Sequence, residues 1–161
     1  MEKEFVEIVS KHQALIYKVC HLYADNPADV EDLFQEIVAN LWQAYPRFDG
    51  RAKVTTWMYR VALNTAITQL RHRKRRPQIQ ALDHTIGREM QLFDEQSQQL
   101  YAAIKQLNPI EKAIITLYLD GYSYHEIAET MGITENYVGV RLNRIKDKLQ
   151  QIIMAKINTA A

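Results

Sequence analysis

Between residues 30 and 45, apolar side chains recur at steps of three and four: Val30, Leu33, Phe34, Ile37, Val38, Leu41, Trp42 and Tyr45. Four turns of that spacing define one face of an amphipathic helix. Asn26-Pro27 just ahead reads as a cap followed by proline at the first helical position, where its missing N–H is no loss. The stretch from Phe5 to Ala24 is spaced in the same way, with a break near His12. Pro46 and Gly50 then bracket a short loop containing Phe48. A third helix starts near Thr55 or Thr56 and runs to about Arg76, where Pro77 stops it.

Residues 77–90 are polar and mixed, hold Gly87 and keep no period. Helical spacing resumes near Leu92 and runs to Leu107, breaks at Asn108-Pro109, and continues to Asp120-Gly121. Two further helices are expected, Ser123 to Met131 and Glu135 to about Ile153, separated by Gly132-Ile133-Thr134. No strand-like alternation of any length occurs. The expected fold is all-α: two small helical domains, residues 1–76 and 92–161, joined by a flexible linker at 77–91. The second contains a helix-turn-helix.

Composition excludes several classes. Hydrophobic residues at 47% and charged residues at 24% of a 161-residue chain match a globular protein. Cys20 is the single cysteine, which rules out an intramolecular disulfide and any zinc site needing two thiolates. No apolar run approaches the roughly 20 residues of a membrane span, and Met1 to Glu4 does not lead into a signal-peptide core. The expected compartment is the cytoplasm.

The net charge of +1 hides an uneven distribution. Residues 1–50 carry a net −5, residues 51–77 a net +8 without one carboxylate, residues 78–120 a net −3, and residues 121–161 a net +1. Such asymmetry points to two surfaces with two partners, one of them a polyanion. The plain alternative for Arg71 to Arg76 is a solvated helix end complementing the dipole there.

In the second half, Ser123 and Glu126 stand at capping-box spacing. Ile127, Ala128 and Met131 form the inner face, and Gly132 suits a tight turn. Thr134 caps the next helix, whose inner face is Tyr137 or Val138, then Leu142, Ile145 and Leu149. Its outer face offers Glu135, Asn136, Gly139, Asn143, Arg144 and Lys146. In a DNA-reading helix-turn-helix the second helix enters the major groove. There Asn136, Asn143 and Arg144 can make bidentate contacts to bases, while Lys146 and Lys148 meet phosphate. An ordinary helical hairpin with a polar face is the competing reading, and the motif alone does not separate a repressor from an activator or a polymerase subunit.

The first half narrows the choice. Asp29, Asp32 and Glu36, with Gln35 beside them, lie opposite the apolar stripe. A convex, wet row of carboxylates suits docking to a basic protein surface better than metal or acid–base chemistry, which needs a concave site. His12, His21, His72, His84 and His125 are scattered, with no ligand spacing. Phe48, Trp57, Tyr59 and Asn64 interleave with Arg47, Arg51, Lys53 and Arg60. Aromatics among cations serve unpaired nucleic acid, through stacking and backbone charge, and an amide such as Asn64 can bond the edge of an unstacked base. The alternative sets Trp57, Met58, Val61, Ala62 and Leu70 in a core-facing row.

Together these segments resemble the bacterial sigma factors of the extracytoplasmic-function group, over about residues 4–155. Residues 29–38 (Asp-Val-Glu-Asp-Leu-Phe-Gln-Glu-Ile-Val) are similar to the core-polymerase-binding helix of region two. Phe48-Asp-Gly, residues 56–64 (Thr-Trp-Met-Tyr-Arg-Val-Ala-Leu-Asn) and the basic run to Arg76 resemble its −10-element reader. Residues 107–114 (Leu-Asn-Pro-Ile-Glu-Lys-Ala-Ile) and 121–132 (Gly-Tyr-Ser-Tyr-His-Glu-Ile-Ala-Glu-Thr-Met-Gly) resemble region four.

The resemblance implies polymerase contacts at Asp29, Asp32, Gln35 and Glu36. It implies −10 contacts at Phe48, Lys53, Trp57, Arg60, Asn64, Arg71, Arg73, Lys74, Arg75 and Arg76. Its −35 contacts are Thr134, Glu135, Asn136, Gly139, Val140, Asn143, Arg144, Lys146 and Lys148. Gly139 departs from the family, where Arg or Lys is frequent, and Val140 stands where small polar residues are common. A single recognition helix leaves a monomer the expected state, and no cofactor, metal or catalytic residue is expected. The partners the resemblance implies are core polymerase, a duplex −35 element, a melted −10 strand and an anti-sigma protein. No inhibitory amino-terminal region or appended sensor domain is expected. A linker at 77–91 reaches roughly 50 Å at about 3.3–3.6 Å per residue, enough to serve two separated promoter elements. The competing functions are a stand-alone helix-turn-helix regulator and a metal-dependent nucleic-acid enzyme using Asp29, Asp32 and Glu36.

Overall fold

Five of the helices begin where a polar side chain, at Asn26, Asp94, Asn108, Ser123 or Thr134, takes up a backbone N–H three residues ahead. The structure, a computed structural model, describes residues 1–73 and 94–160, excluding the side chains of Arg73, Thr159 and Ala160. Among the described residues every regular element is helical. The linker expected at 77–91, the stop at Pro77 and the restart at Leu92 lie outside them. The chain divides into two compact units, Met1–Ile86 and Gly87–Ala161.

The first unit holds α1 (Glu2–Lys11), α2 (Gln13–Tyr23), α3 (Pro27–Ala44), a 3₁₀ turn (Tyr45–Arg47) and α4 (Val54–Arg73). The break foreseen near His12 is a single non-helical residue between α1 and α2. At α3, the Asn26 side chain accepts from the Asp29 N–H at 2.9 Å and Pro27 follows in the first turn. Helices α2, α3 and α4 pack against one another. Ile16, Leu33, Ile37, Leu41, Met58 and Leu63 are fully buried between them. Gly50 takes a φ of +77° in the loop before α4, a backbone region that favours glycine.

The second unit holds α5 (Glu95–Lys105), α6 (Pro109–Leu119), α7 (Tyr124–Met131) and α8 (Glu135–Ala160). Asn108 and Ser123 both form complete capping boxes, with Glu111 and Glu126 respectively. Gly132 ends α7 in the left-handed region at φ +70°, and the Thr134 hydroxyl accepts from the Tyr137 N–H at 3.1 Å. This is the expected helix-turn-helix. Of the two candidates for the inner face of α8, Val138 is fully buried and Tyr137 is 39% exposed. On α7 the buried residue near the end is Thr130 rather than Met131, its hydroxyl donating to the Glu126 carbonyl at 2.7 Å. That internal bond removes the cost of burying the hydroxyl. Helix α8 continues past Ile153 to Ala160, since no glycine or proline interrupts it after Gly139.

Cys20 is fully buried, and desolvation pushes its thiol up to about 12, with Glu31 adding to the shift. Only the thiolate attacks, so native protein near neutral pH is expected to react with a thiol reagent on the order of a thousandfold slower than unfolded chain. Comparing labelling rates with and without denaturant checks this; equal rates would place Cys20 at the surface.

Candidate nucleic-acid and polymerase interface

The capped start of α3 sets the rotational phase of its polar face. Asp32, Gln35 and Glu36 are exposed on it. Asp29, one turn earlier, is half-buried, and its carboxylate accepts from the Asn26 side-chain amide at 2.8 Å. It therefore serves the helix cap, while the other three present themselves to solvent.

Helix α4 crosses beside α3, and the Asn40 amide donates to the Thr65 hydroxyl at 2.9 Å between them. The Thr65 hydroxyl in turn donates to the Val61 carbonyl at 2.7 Å. Beside that bond lies an open groove of about 540 Å³, lined among others by Glu36, Asn64, Thr68, Gln69 and His72. The sequence pattern separates a polymerase-facing acid row from a base-reading amide. The fold brings Glu36 and Asn64 to one groove, because the polar edges of α3 and α4 face the same way.

Phe48 and Trp57 are both half-exposed, with ring centroids 4.9 Å apart. Trp57 also approaches Tyr45 (6.3 Å), which meets Phe5 (5.4 Å), and Phe5 meets Trp42 (5.0 Å). Trp57 is thus partly core and partly surface, a ring braced by Tyr45 with the tilted Phe48 ring against it. Tyr59 differs from the sequence reading. It is 4% exposed, and its hydroxyl accepts from Lys18 at 3.3 Å, so it offers no stacking face. Lys53, Arg60 and Arg71 are exposed. The Arg73 side chain and residues Lys74, Arg75 and Arg76 lie outside the described residues.

In the second unit Thr134, Glu135, Asn136, Val140, Asn143 and Arg144 are exposed. Asn136, Val140 and Asn143, at i, i+4 and i+7, share a strip opposite the buried Val138, Leu142 and Ile145. Gly139 is half-buried beneath the Tyr124 ring of α7, where an added Cβ would touch Cε2 at 3.4 Å. The absent side chain makes a seat for Tyr124, a residue the sequence pattern did not single out. Arg141, also passed over, donates from Nε to the Tyr137 hydroxyl at 2.9 Å, an i, i+4 pair on the surface. Lys146 donates to the Tyr118 hydroxyl at 3.2 Å and lies 4.5 Å above its ring. Lys148 points to a different neighbour. Its ammonium meets both oxygens of Glu111 at 3.1 and 3.4 Å, and Glu111 is 2% exposed.

Among the described residues no group of three or more His, Cys, Asp or Glu side chains is placed to hold a metal ion, and no helix is long and apolar enough to cross a membrane.

Residues 8–76 match the family Sigma-70 region 2, and residues 97–149 match Sigma-70, region 4. The chain is 28% identical over 172 residues to the ECF RNA polymerase sigma-E factor of Escherichia coli, covering 97% of this chain and 90% of that protein. It is 41% identical over 58 residues to the ECF RNA polymerase sigma factor SigG of Mycobacterium tuberculosis, a match to 36% of this chain that spans 16% of SigG. The structure of the sigma factor RpoE in complex with the anti-sigma factor NepR from Bartonella quintana is similar in fold. Its TM-score is 0.67 at 17% identity, over 95% of this chain and 96% of that one.

Removing the Lys148 ammonium leaves the buried Glu111 carboxylate with fewer partners. Lys148→Met is expected to destabilise the second unit by about 1–2 kcal/mol, the pair being half-exposed on the lysine side. In denaturant titration the Glu111→Gln/Lys148→Met double variant should recover part of that loss. A Lys148→Met chain as stable as the parent would mean the pair contributes nothing.

Proposed function

We infer that this chain, which belongs to the extracytoplasmic-function sigma factors of bacterial RNA polymerase, directs the core enzyme to specific promoters and assists their melting. The observation that carries this reading is the order of two different surfaces on one chain. A region 2 unit presents exposed acids beside an aromatic and amide site, and a region 4 unit presents a helix-turn-helix. A stand-alone regulator has no use for the first of these.

Asp32, Gln35 and Glu36 dock on core polymerase, and Asp29 supports them by holding the start of their helix. Phe48, braced by Trp57, stacks an unpaired base, Asn64 bonds its edge, and Lys53, Arg60, Arg71, Arg73, Lys74, Arg75 and Arg76 hold backbone phosphate. Unstacking costs a few kcal/mol per base, and these contacts with polymerase offset it. On α8, Asn136, Asn143 and Arg144 read base edges, Glu135 and Val140 flank them, and Thr134 starts the helix. Gly139 admits Tyr124 to the same face, and Lys146 and Lys148 add positive charge along α8. The chain performs no catalytic step itself and works as a monomer in the cytoplasm with polymerase. By likeness to the RpoE–NepR pair, an anti-sigma protein is its expected regulator.

Run-off transcription with bacterial core polymerase on a pool of promoter fragments tests the assignment. Specific transcripts are expected with the parent chain and a loss of at least about thirtyfold in Asp32→Ala/Glu36→Ala, the scale of two interface anchors. Asn64→Ala should keep recruitment within about twofold while losing most permanganate reactivity of the melted strand. A chain that shifts a duplex site alone, and supports no transcript, would be a regulator instead.

A further inference from the structure

In the first turn of α7, His125 stands between two carboxylates. Its Nδ1 lies 2.6 Å from Oε1 of Glu135, the first residue of α8. Its Nε2 lies 3.1 Å from Oε1 of Glu129, four residues along α7. An ionised carboxylate has no proton to give, so both ring nitrogens must donate, and only the doubly protonated imidazolium can do that. The side chains of His125, Glu129 and Glu135 are 64%, 72% and 58% exposed, so the trio lies on the surface of the helix-turn-helix.

We propose that His125 is a positioning residue for −35 recognition: its imidazolium holds the Glu135 carboxylate at the start of the recognition helix and offsets the negative charge brought there by Glu129 and Glu135. This rests on the reading of α8 as the −35 helix. A held Glu135 carboxylate can accept from a cytosine amino group in the major groove. Once His125 loses its proton, one hydrogen bond of the pair is lost and the surface becomes one charge more negative where it must approach phosphate.

The direction of the pH dependence follows. The hydrogen bond His125 donates to Glu135, then the charges of Glu129 and Glu135, raise the His125 pKa above its usual 6.5, against a smaller opposing desolvation. The charged groups facing it are Glu129 from α7 and Glu135 from α8. The bonded, protonated form is therefore complete below the usual value and is lost as pH rises through the raised one.

The test uses holoenzyme reconstituted from the full chain and bacterial core polymerase, on a promoter it selects from a fragment pool. The readout is the ratio of affinities for that promoter with its −35 element intact and scrambled, from about pH 6 to about pH 8.5. The parent ratio should fall on the order of three- to tenfold across the range, the scale of two exposed ion pairs. His125→Lys, cationic throughout, should stay high and flat, and His125→Gln low and flat. A parent ratio without pH dependence, a slope that persists in His125→Gln, or a His125→Lys ratio as low as that of His125→Gln overturns the proposal. A holoenzyme that selects no promoter overturns the sigma reading and this inference with it.

Discussion

Side-chain capping of helix amino termini sets the phase of the exposed polar faces of α3 and α8. Asn26, Asp94, Asn108, Ser123 and Thr134 each accept from the backbone N–H three residues ahead, at 2.7 to 3.1 Å. Each cap contributes about 1 kcal/mol, but its larger consequence is geometric. Successive residues on a helix are separated by about 100°, so a start displaced by one residue turns every side chain through that angle. Asn26 and Pro27 thereby aim Asp32 and Glu36 at solvent while Leu33 and Ile37 enter the core. Thr134 does the same for Asn136, Val140 and Asn143 against Val138, Leu142 and Ile145.

Packing then determines which of these phased faces share a site. In the first unit, α3 and α4 meet through an apolar seam closed on one side by the Asn40–Thr65 hydrogen bond. Glu36 and Asn64 consequently line one groove, which places the proposed docking acid within reach of the proposed base-reading amide. In the second unit Glu111 joins two tasks. It completes the capping box of α6 and, from its buried position, ties Lys148 of α8 to the same helix. Helix α8 is thereby tied at two places, at Thr134 by its own cap and at Lys148 by an ion pair.

What was legible in the sequence is what depends on residues three or four apart. The all-α class, the His12 break, the Asn26-Pro27 start, the Ser123–Glu126 box, the Gly132 turn and the Thr134 cap are interactions of that range, and a one-dimensional pattern contains them. The exposed strip on α8 follows from the same periodicity once its start is known. The overreach of α8 past Ile153 was not legible, since helix ends without glycine or proline leave no local mark.

Partners far apart in the chain required the tertiary structure. Tyr59 reads as an available aromatic until α2 brings Lys18 to its hydroxyl across 41 positions. The carboxylate that Lys148 meets, Glu111 on α6, stands 37 positions away in the chain. Gly139 reads as a missing contact until Tyr124 is seen above it, and His125 as one of five scattered histidines until the turn brings Glu135 to its ring. The sequence by itself determined which helices form and which faces are polar, because those are local free energies summed along the chain. Only the packed structure decided which polar groups answer one another, because that depends on the few ångströms separating helices that the chain order leaves far apart.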